Sequence, residues 1–115
     1  MDGTMFRNFA VVSAGLVALV MPALAIAQTI DVKEAVYGRL VANAPTCDAA
    51  EAVRYFCQGA SSCSFPVDDS ICGDPDPGIT KKLMVRYICG STLHTVIQIE
   101  STEAGDESME IRCTD

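Results

Sequence analysis

Six cysteines limit the folds open to this chain more than any other feature. They lie in the later part of a 115-residue sequence, at Cys47, Cys57, Cys63, Cys72, Cys89 and Cys113. If the chain is exported, an even number of cysteines in so short a sequence predicts three disulfides, each stabilising the domain by about 2–4 kcal/mol. A metal site is disfavoured because no C-x-x-C spacing occurs and His94 is the only histidine. We therefore expect a small domain held by disulfides, without a metal or other cofactor.

The first 27 residues have the pattern of a secretory signal peptide. A short start containing Arg7 precedes an apolar run from Phe9, and the small residues Ala25 and Ala27 form an A-x-A cleavage site. An uncleaved anchor helix is the alternative, since the run is just long enough to span a bilayer. The Ala-rich tail favours cleavage. We expect a secreted or periplasmic protein whose contact with a membrane is limited to the leader, residues 1–27.

Residues 28–115 are enough for one small domain. The leader contains one base and one acid, so these 88 residues keep 7 bases against 14 acids. This acidic balance argues against nucleic acid or an anionic membrane as partner. A domain of this size buries a modest core and needs cross-links, which agrees with the cysteine content.

Hydrophobic periodicity predicts a mainly β fold of the α+β class with one helix. Alternating residues predict a strand from residue 29 to Arg39, and helical spacing predicts an amphipathic helix at about residues 48–57, after a turn at 45–48. Cys57 and Cys63 enclose a short glycine-containing loop, which makes a local bridge between them geometrically easy. Ser64–Val67 has the pattern of a short edge strand, because Pro66 cannot donate to a ladder.

A turn-rich acidic loop leads into the next strand. Gly73, Pro75, Pro77 and Gly78 are too closely spaced for helix or continuous strand. Residues 82–89 then alternate as a half-buried strand ending at a cysteine. Such a loop can hold polar groups for a ligand, or can simply be a well-built turn.

Spaced motifs from Ile30 to Cys89 resemble one known family. They are Ile30-x-Val32 before Ala35-Val36-Tyr37-Gly38-Arg39, Val53-x-x-x-Cys57-x-Gly59-x-x-Ser62-Cys63-x-x-Pro66, and Gly73-Asp74-Pro75-x-x-Gly78-x-x-Lys81-x-Leu83-x-Val85-x-Tyr87-x-Cys89. In this order they resemble the SUEL-type, or rhamnose/galactose-binding, lectin domain. The resemblance implies a compact, disulfide-stapled antiparallel β-sandwich-like domain with a packed helix. It also implies metal-independent binding of galactose or rhamnose, or in some members binding of proteins.

The resemblance also implies which residues bind carbohydrate. The matching positions are Tyr37, Asp74, Gly78 and Lys81, and Arg39 is expected to support the loop rather than touch ligand. The chemistry fits, because a carboxylate beside a cationic donor can read the configuration of vicinal hydroxyls. An aromatic ring can cover the apolar side of a deoxy sugar.

The chain departs from the family pattern at its N-terminal side. The family begins with an additional strand that supplies a sugar-binding glutamate and cysteines, and this glutamate has no counterpart here. We expect a C-terminal hairpin within residues 90–115 to take the place of that strand. Its strands follow the alternation of Leu93 to Ile99 and of Met109 to Cys113, separated by an acidic turn. The resemblance, and the cysteines that then remain, imply the pairs Cys89–Cys113 and Cys47–Cys72 beside Cys57–Cys63.

Other candidate sites are weaker. Asp68, Asp69, Asp74 and Asp76 lack the spacing and closing glutamate of a calcium loop, so a solvated acidic edge is the favoured interpretation. The five acids from residue 100 to residue 110 are also interpreted as a solvated loop. His94 has no nucleophile pattern near it and is expected to pack on a strand or lie at the surface.

Two function classes follow. One is an exported lectin-like carbohydrate-binding module, and the other is a structural or protein-binding domain that kept the scaffold without the sugar. An enzyme is not expected, since no nucleophile and base, and no metal site, can be assembled from the sequence. The sequence leaves the oligomeric state open.

Overall fold

The computed structural model describes residues 27–101 and 108–113. Within these ranges the chain forms six strands and one helix. Their bounds are β1 Ile30–Gly38, β2 Thr46–Asp48, α1 Ala50–Cys57, β3 Ser62–Pro66, β4 Lys82–Cys89, β5 Thr92–Ile99 and β6 Ser108–Arg112. The predicted signal peptide falls outside the described residues apart from Ala27.

All strand pairs in the described ranges are antiparallel and form two sheets. The larger sheet has the order β2-β1-β4-β5, and β3 pairs with β6 in the smaller one. This architecture confirms the predicted fold class, which was mainly β with one short helix. The prediction of a C-terminal hairpin was wrong, because β5 pairs with β4 while β6 pairs with β3.

The core lies between the inner face of the larger sheet, the helix and the smaller sheet. Alternate residues of β1 and β4 point inward, and α1 adds an apolar face, as their periodicities predict. The buried apolar residues are Ile30, Val32, Ala35, Tyr37, Ala49, Ala50, Val53, Cys57, Phe65, Val67, Leu83, Val85, Tyr87, Cys89, Met109 and Ile111. One continuous core therefore joins both sheets.

Three disulfides staple this core, and none of the described cysteines is free. They join Cys47 to Cys72, Cys57 to Cys63 and Cys89 to Cys113, the pairs expected from the sequence and the resemblance. Cys89–Cys113 links the end of β4 to the residue after β6, so it ties the two sheets together.

Residues 45–48 are a second point where the prediction was wrong. Instead of a simple turn into a helix, Thr46–Asp48 forms β2, which pairs with the end of β1. The helix begins at Ala50, and the backbone amide of Ala50 donates a hydrogen bond to Oδ1 of Asp48 at 2.9 Å. The close approach of β2 to the end of β1 explains why a glycine occupies position 38. A Cβ there would lie 2.6 Å from the carbonyl oxygen of Pro45.

No helix within the described ranges has the length and apolar character needed to cross a bilayer.

Candidate functional site

Lys81 lies at the centre of a cluster of polar side chains where β4 begins. It is the only buried charged residue of the described ranges, with 3% of its surface exposed. Its Nζ lies 3.0 Å from Oδ1 of Asp74 and 3.3 Å from Oε1 of Glu100, and donates to the carbonyl oxygen of Ile79 at 2.8 Å. These contacts compensate for the loss of water around a buried cation.

Tyr37 meets the same cluster from the end of β1. The β1–β4 register places Tyr37 opposite Leu83, two residues beyond Lys81. Its ring is completely buried, and its hydroxyl donates to Oδ1 of Asp69 at 2.7 Å and approaches Oε2 of Glu100 at 3.2 Å. We call Tyr37, Asp69, Asp74, Lys81 and Glu100 the polar cluster.

The surroundings fix the protonation states of the two buried members. Burial raises the pKa of the Tyr37 hydroxyl, and its hydrogen bond to Asp69 and the charge of Glu100 raise it further. For Lys81 burial acts to lower the pKa, but the hydrogen bonds to Asp74 and Glu100 outweigh it, so the pKa is raised. At neutral pH the cluster thus contains a neutral phenol and a charged ammonium.

The loop that carries Asp74 and Gly78 is held at several points. Nε of Arg39 lies 2.9 Å from Oδ2 of Asp76, a contact that fits the supporting role expected for Arg39. The Cys47–Cys72 disulfide fastens the start of the loop to β2. Gly78 has a φ of 81°, the left-handed region that favours glycine. The loop backbone is thereby shaped before any ligand arrives.

The structure brings the four residues proposed for carbohydrate binding to one end of the larger sheet, but at different depths. Asp74 and Gly78 are exposed, whereas Tyr37 and Lys81 are buried beneath them. The ring of Tyr37 belongs to the core and presents no face to solvent here. Among the described residues, both contacts of the Asp74 carboxylate, with Lys81 and with the amide of Asp76, are made by Oδ1.

Sequence reasoning missed two members of the cluster, Asp69 and Glu100. The sequence analysis assigned both to solvated acidic segments, and for Glu100 this was wrong. The Glu100 side chain is only 13% exposed, and its Oε1 accepts a hydrogen bond from the backbone amide of Lys81 at 2.6 Å. Glu100 also follows β5 directly, so it enters the cluster from the C-terminal part of the chain. The only sequence signal was its position at the end of an alternating strand. Residues 102–107 of the predicted acidic turn lie outside the described ranges.

His94, the single histidine of the sequence, packs against an aromatic ring. His94 lies opposite Tyr87 across the β4–β5 pair, and their rings stack with centroids 5.2 Å apart. This agrees with the prediction that His94 packs on a strand or lies at the surface, since its side chain is exposed and stacks on Tyr87.

Comparison with known proteins gives one informative similarity, to a lectin. Over 39 residues the chain is 46% identical to a D-galactoside-specific lectin from Heliocidaris crassispina. The aligned segment covers 34% of this chain and 37% of that lectin, so the chain spans little more than a third of its relative. No family model matches the chain, and no solved structure matches it. The similarity supports a lectin-like domain with a partial relative among galactoside-binding lectins.

Proposed function

We propose that this chain is an exported, metal-independent carbohydrate-binding module for a terminal galactose- or rhamnose-type sugar. The observation that supports it most is the convergence of Asp74, Gly78, Lys81 and Tyr37 at one end of the sheet. A disulfide and an ion pair hold the loop that carries Asp74 and Gly78. The partial similarity to a D-galactoside-specific lectin supports the same function. The proposed role is binding rather than catalysis, with a glycan as partner.

The depths of these residues assign them different roles in the proposal. Asp74 accepts sugar hydroxyls through Oδ2, and the exposed backbone at Gly78 adds a polar contact. Lys81 and Tyr37 act from below as positioning residues, because Lys81 holds Asp74 through Oδ1 and Tyr37 holds Asp69. Glu100 provides the second carboxylate on Lys81, the kind of group that the resemblance assigns to the family's first strand. A pre-oriented carboxylate avoids part of the entropy cost of binding.

Binding of methyl galactoside and methyl rhamnoside to the oxidised protein, followed by NMR shifts of the backbone amides, tests this proposal. Asp74→Asn removes the accepting charge with little change in size, and we expect it to weaken binding at least tenfold. Asp31→Asn is the matched control, since Asp31 lies at the other end of β1 and contacts Lys33 and Gln58. Binding should persist in EDTA. No sugar-dependent shifts, or an equal loss in both variants, would refute the proposal.

A second candidate is a structural or protein-binding exported domain that uses the same scaffold. It is favoured by the burial of Tyr37 and Lys81, whose polar atoms are already engaged inside the molecule. Under this alternative the polar cluster stabilises the fold and meets no ligand. The two candidates differ in the sugar titration, because the second gives no response to either glycoside while the protein remains folded.

A further inference from the structure

A groove lies beside the middle of β1 and is separate from the polar cluster. It has a volume of about 390 Å³ and is walled by residues of β1, β2 and the first part of α1. This volume falls in the range of small-molecule sites, roughly 300–1,000 Å³. None of the five residues of the polar cluster lines it. The groove is therefore a second concave feature, with its own set of side chains.

An irregularity in β1 and the shortness of β2 shape this groove. The pairing of β1 with β4 shifts register between Val32 and Glu34, so that Lys33 forms a bulge. β2 is only 3 residues long and pairs with residues 36–38, so residues 33–35 of β1 have no strand beside them on the β2 side. Bulges are over-represented next to active sites, where they redirect side chains. Here the bulge and the missing strand leave an opening that α1 borders.

Arg54 is held at this opening by one edge of its guanidinium group. Its Nε and Nη2 both donate to the carbonyl oxygen of Val32, each at 3.2 Å. A guanidinium has five N–H donors in a planar fork, so Nη1 and the second hydrogen of Nη2 are left for another acceptor. Such a terminal edge can bind a carboxylate through two parallel hydrogen bonds. The side chain is thus oriented before a ligand arrives.

Within the described ranges no acid forms an ion pair with Arg54, although the chain is acidic. Lys82 is the other base without such a partner there. The bases that do form ion pairs are Lys33, Arg39, Lys81, Arg86 and Arg112. Of the two bases without an acid partner, Arg54 is the one that lines the groove.

The other walls of the groove suit a hydroxylated ring. Asp48 uses Oδ1 to accept the amide of Ala50, which leaves Oδ2 as an acceptor, and Thr46 adds a hydroxyl group. Val36 and Ala50 add apolar surface between these polar groups. A few polar groups around an apolar floor are typical of a site for a small polar ligand.

The charges around the groove decide which class of anion fits. Two bases and two acids line it, namely Lys33, Arg54, Glu34 and Asp48. Lys33 and Glu34 are already paired, with Asp31 and Arg86. Charges farther away than about 8 Å are largely screened at physiological ionic strength, so this lining outweighs the net charge of −7. A single carboxylate fits Arg54, whereas a phosphate or a polyanion would meet Asp48 without a second free cation.

We propose that this groove binds an acidic sugar. Its carboxylate accepts hydrogen bonds from the terminal edge of Arg54, its hydroxyls contact Oδ2 of Asp48 and the hydroxyl of Thr46, and its ring lies against Val36 and Ala50. The site goes beyond the proposed function, because it takes a charged sugar through residues other than Asp74 and Gly78. Its test therefore uses neither galactoside nor rhamnoside.

Titration of the oxidised chain with methyl β-D-glucuronide, followed in ¹H–¹⁵N NMR spectra, tests the proposal. We expect shifts of the Nε–H signal of Arg54 and of the backbone amides of residues 33–36 and 46–50. Methyl β-D-glucoside has the same ring without the carboxylate, and sodium acetate has the carboxylate without the ring. Because each lacks half of the contacts, both should bind at least tenfold more weakly than the glucuronide.

Two variants separate a bound carboxylate from a general effect of charge. Arg54→Gln removes the guanidinium fork, and we expect it to weaken glucuronide binding at least tenfold. Arg112→Gln is the matched control, because it makes the same change on the smaller sheet, where Nη2 of Arg112 lies 3.5 Å from Oε1 of Glu110. It should bind the glucuronide like the parent chain. If Arg54→Gln disturbs the edge of β1, the Nε–H signal in the parent chain still reports contact with the ligand.

Several outcomes would overturn the proposal. They are the absence of any glucuronide-dependent shift, equal binding of the glucoside or of acetate, and an equal loss of binding in the two variants. Shifts confined to residues 73–81 would also overturn it, because they would assign the acidic sugar to the loop that carries Asp74.

Discussion

Replacement of Glu100 by glutamine measures how far the polar cluster stabilises the fold. Its carboxylate accepts the Lys81 amide at 2.6 Å, lies 3.3 Å from Lys81 Nζ and lies 3.2 Å from the Tyr37 hydroxyl. Glutamine keeps the size and one acceptor oxygen, which can still receive the amide. The substitution removes the negative charge from the contacts with Lys81 and Tyr37. Water can replace little of this interaction, because the side chain is only 13% exposed. Since hydrogen bonds to charged groups contribute about 1.5–3 kcal/mol, we expect the free energy of unfolding to fall by about 2 kcal/mol.

The chain provides a control with the same chemical change. Glu110 also lies in the C-terminal part, but its side chain is 62% exposed and its Oε1 is 3.5 Å from Nη2 of Arg112. Exposed ion pairs contribute little, so Glu110→Gln should change the free energy of unfolding by less than about 0.5 kcal/mol. Both variants alter the net charge equally, so the difference between them reports the environment of Glu100.

Urea unfolding of the oxidised proteins at neutral pH measures the loss of unfolding free energy in each of the two variants. Tyrosine fluorescence is the probe, because the chain has three tyrosines and no tryptophan. A double-mutant cycle with Lys81→Met isolates the contribution of the pair, and we expect a coupling of at least about 1 kcal/mol. If Glu100→Gln and Glu110→Gln gave equal losses, or if the coupling were zero, the argument for a stabilising buried cluster would be refuted.

Two further predictions concern alkaline pH and the cross-links. Because the pKa of Tyr37 is raised in the fold, its contribution to stability is complete below about pH 10 and is lost as the pH rises further, by up to about 1.4 kcal/mol per pH unit. Tyr37→Phe should therefore show a shallower alkaline decline in urea unfolding, and an unchanged slope would contradict this. Replacing Cys89 and Cys113 by alanine opens a loop of sequence separation 24 and should cost about 3.4 kcal/mol, whereas Cys57 and Cys63, with separation 6, should cost about 2.2 kcal/mol. Calorimetry that found the shorter loop more important would contradict the chain-entropy estimate.

Local patterns were sufficient to predict most of the elements of this fold. Period-two alternation located β1, β4 and β5, and helical spacing located α1, because each buries one face. Alternation did not show that the apolar face of β5 is the exposed one, since the face depends on the register with β4. The strand β2 was missed because three residues carry no periodicity, and their conformation depends on pairing with β1.

The candidate site was predictable only in part, for a similar reason. The motif residues Tyr37, Asp74 and Lys81 could be named because a family resemblance covers them. Asp69 and Glu100 join the cluster through tertiary structure, and an acid in a polar segment has the same sequence signature whether it is solvated or buried against a lysine. Their positions depend on long-range contacts that no local pattern encodes.

The segment after β5 completes the polar cluster from the C-terminal part of the chain. The amide of Glu100 donates to the Lys81 carbonyl at 2.9 Å, and that of Ser101 donates to the Val67 carbonyl at 2.8 Å. The chain thereby leaves the larger sheet and contacts the segment that follows β3. Farther on, Met109 enters the core and Cys113 closes the disulfide to β4. The same segment therefore provides the second carboxylate on Lys81 and part of the core beneath that lysine. Removing the segment would both expose Lys81 and separate the two sheets.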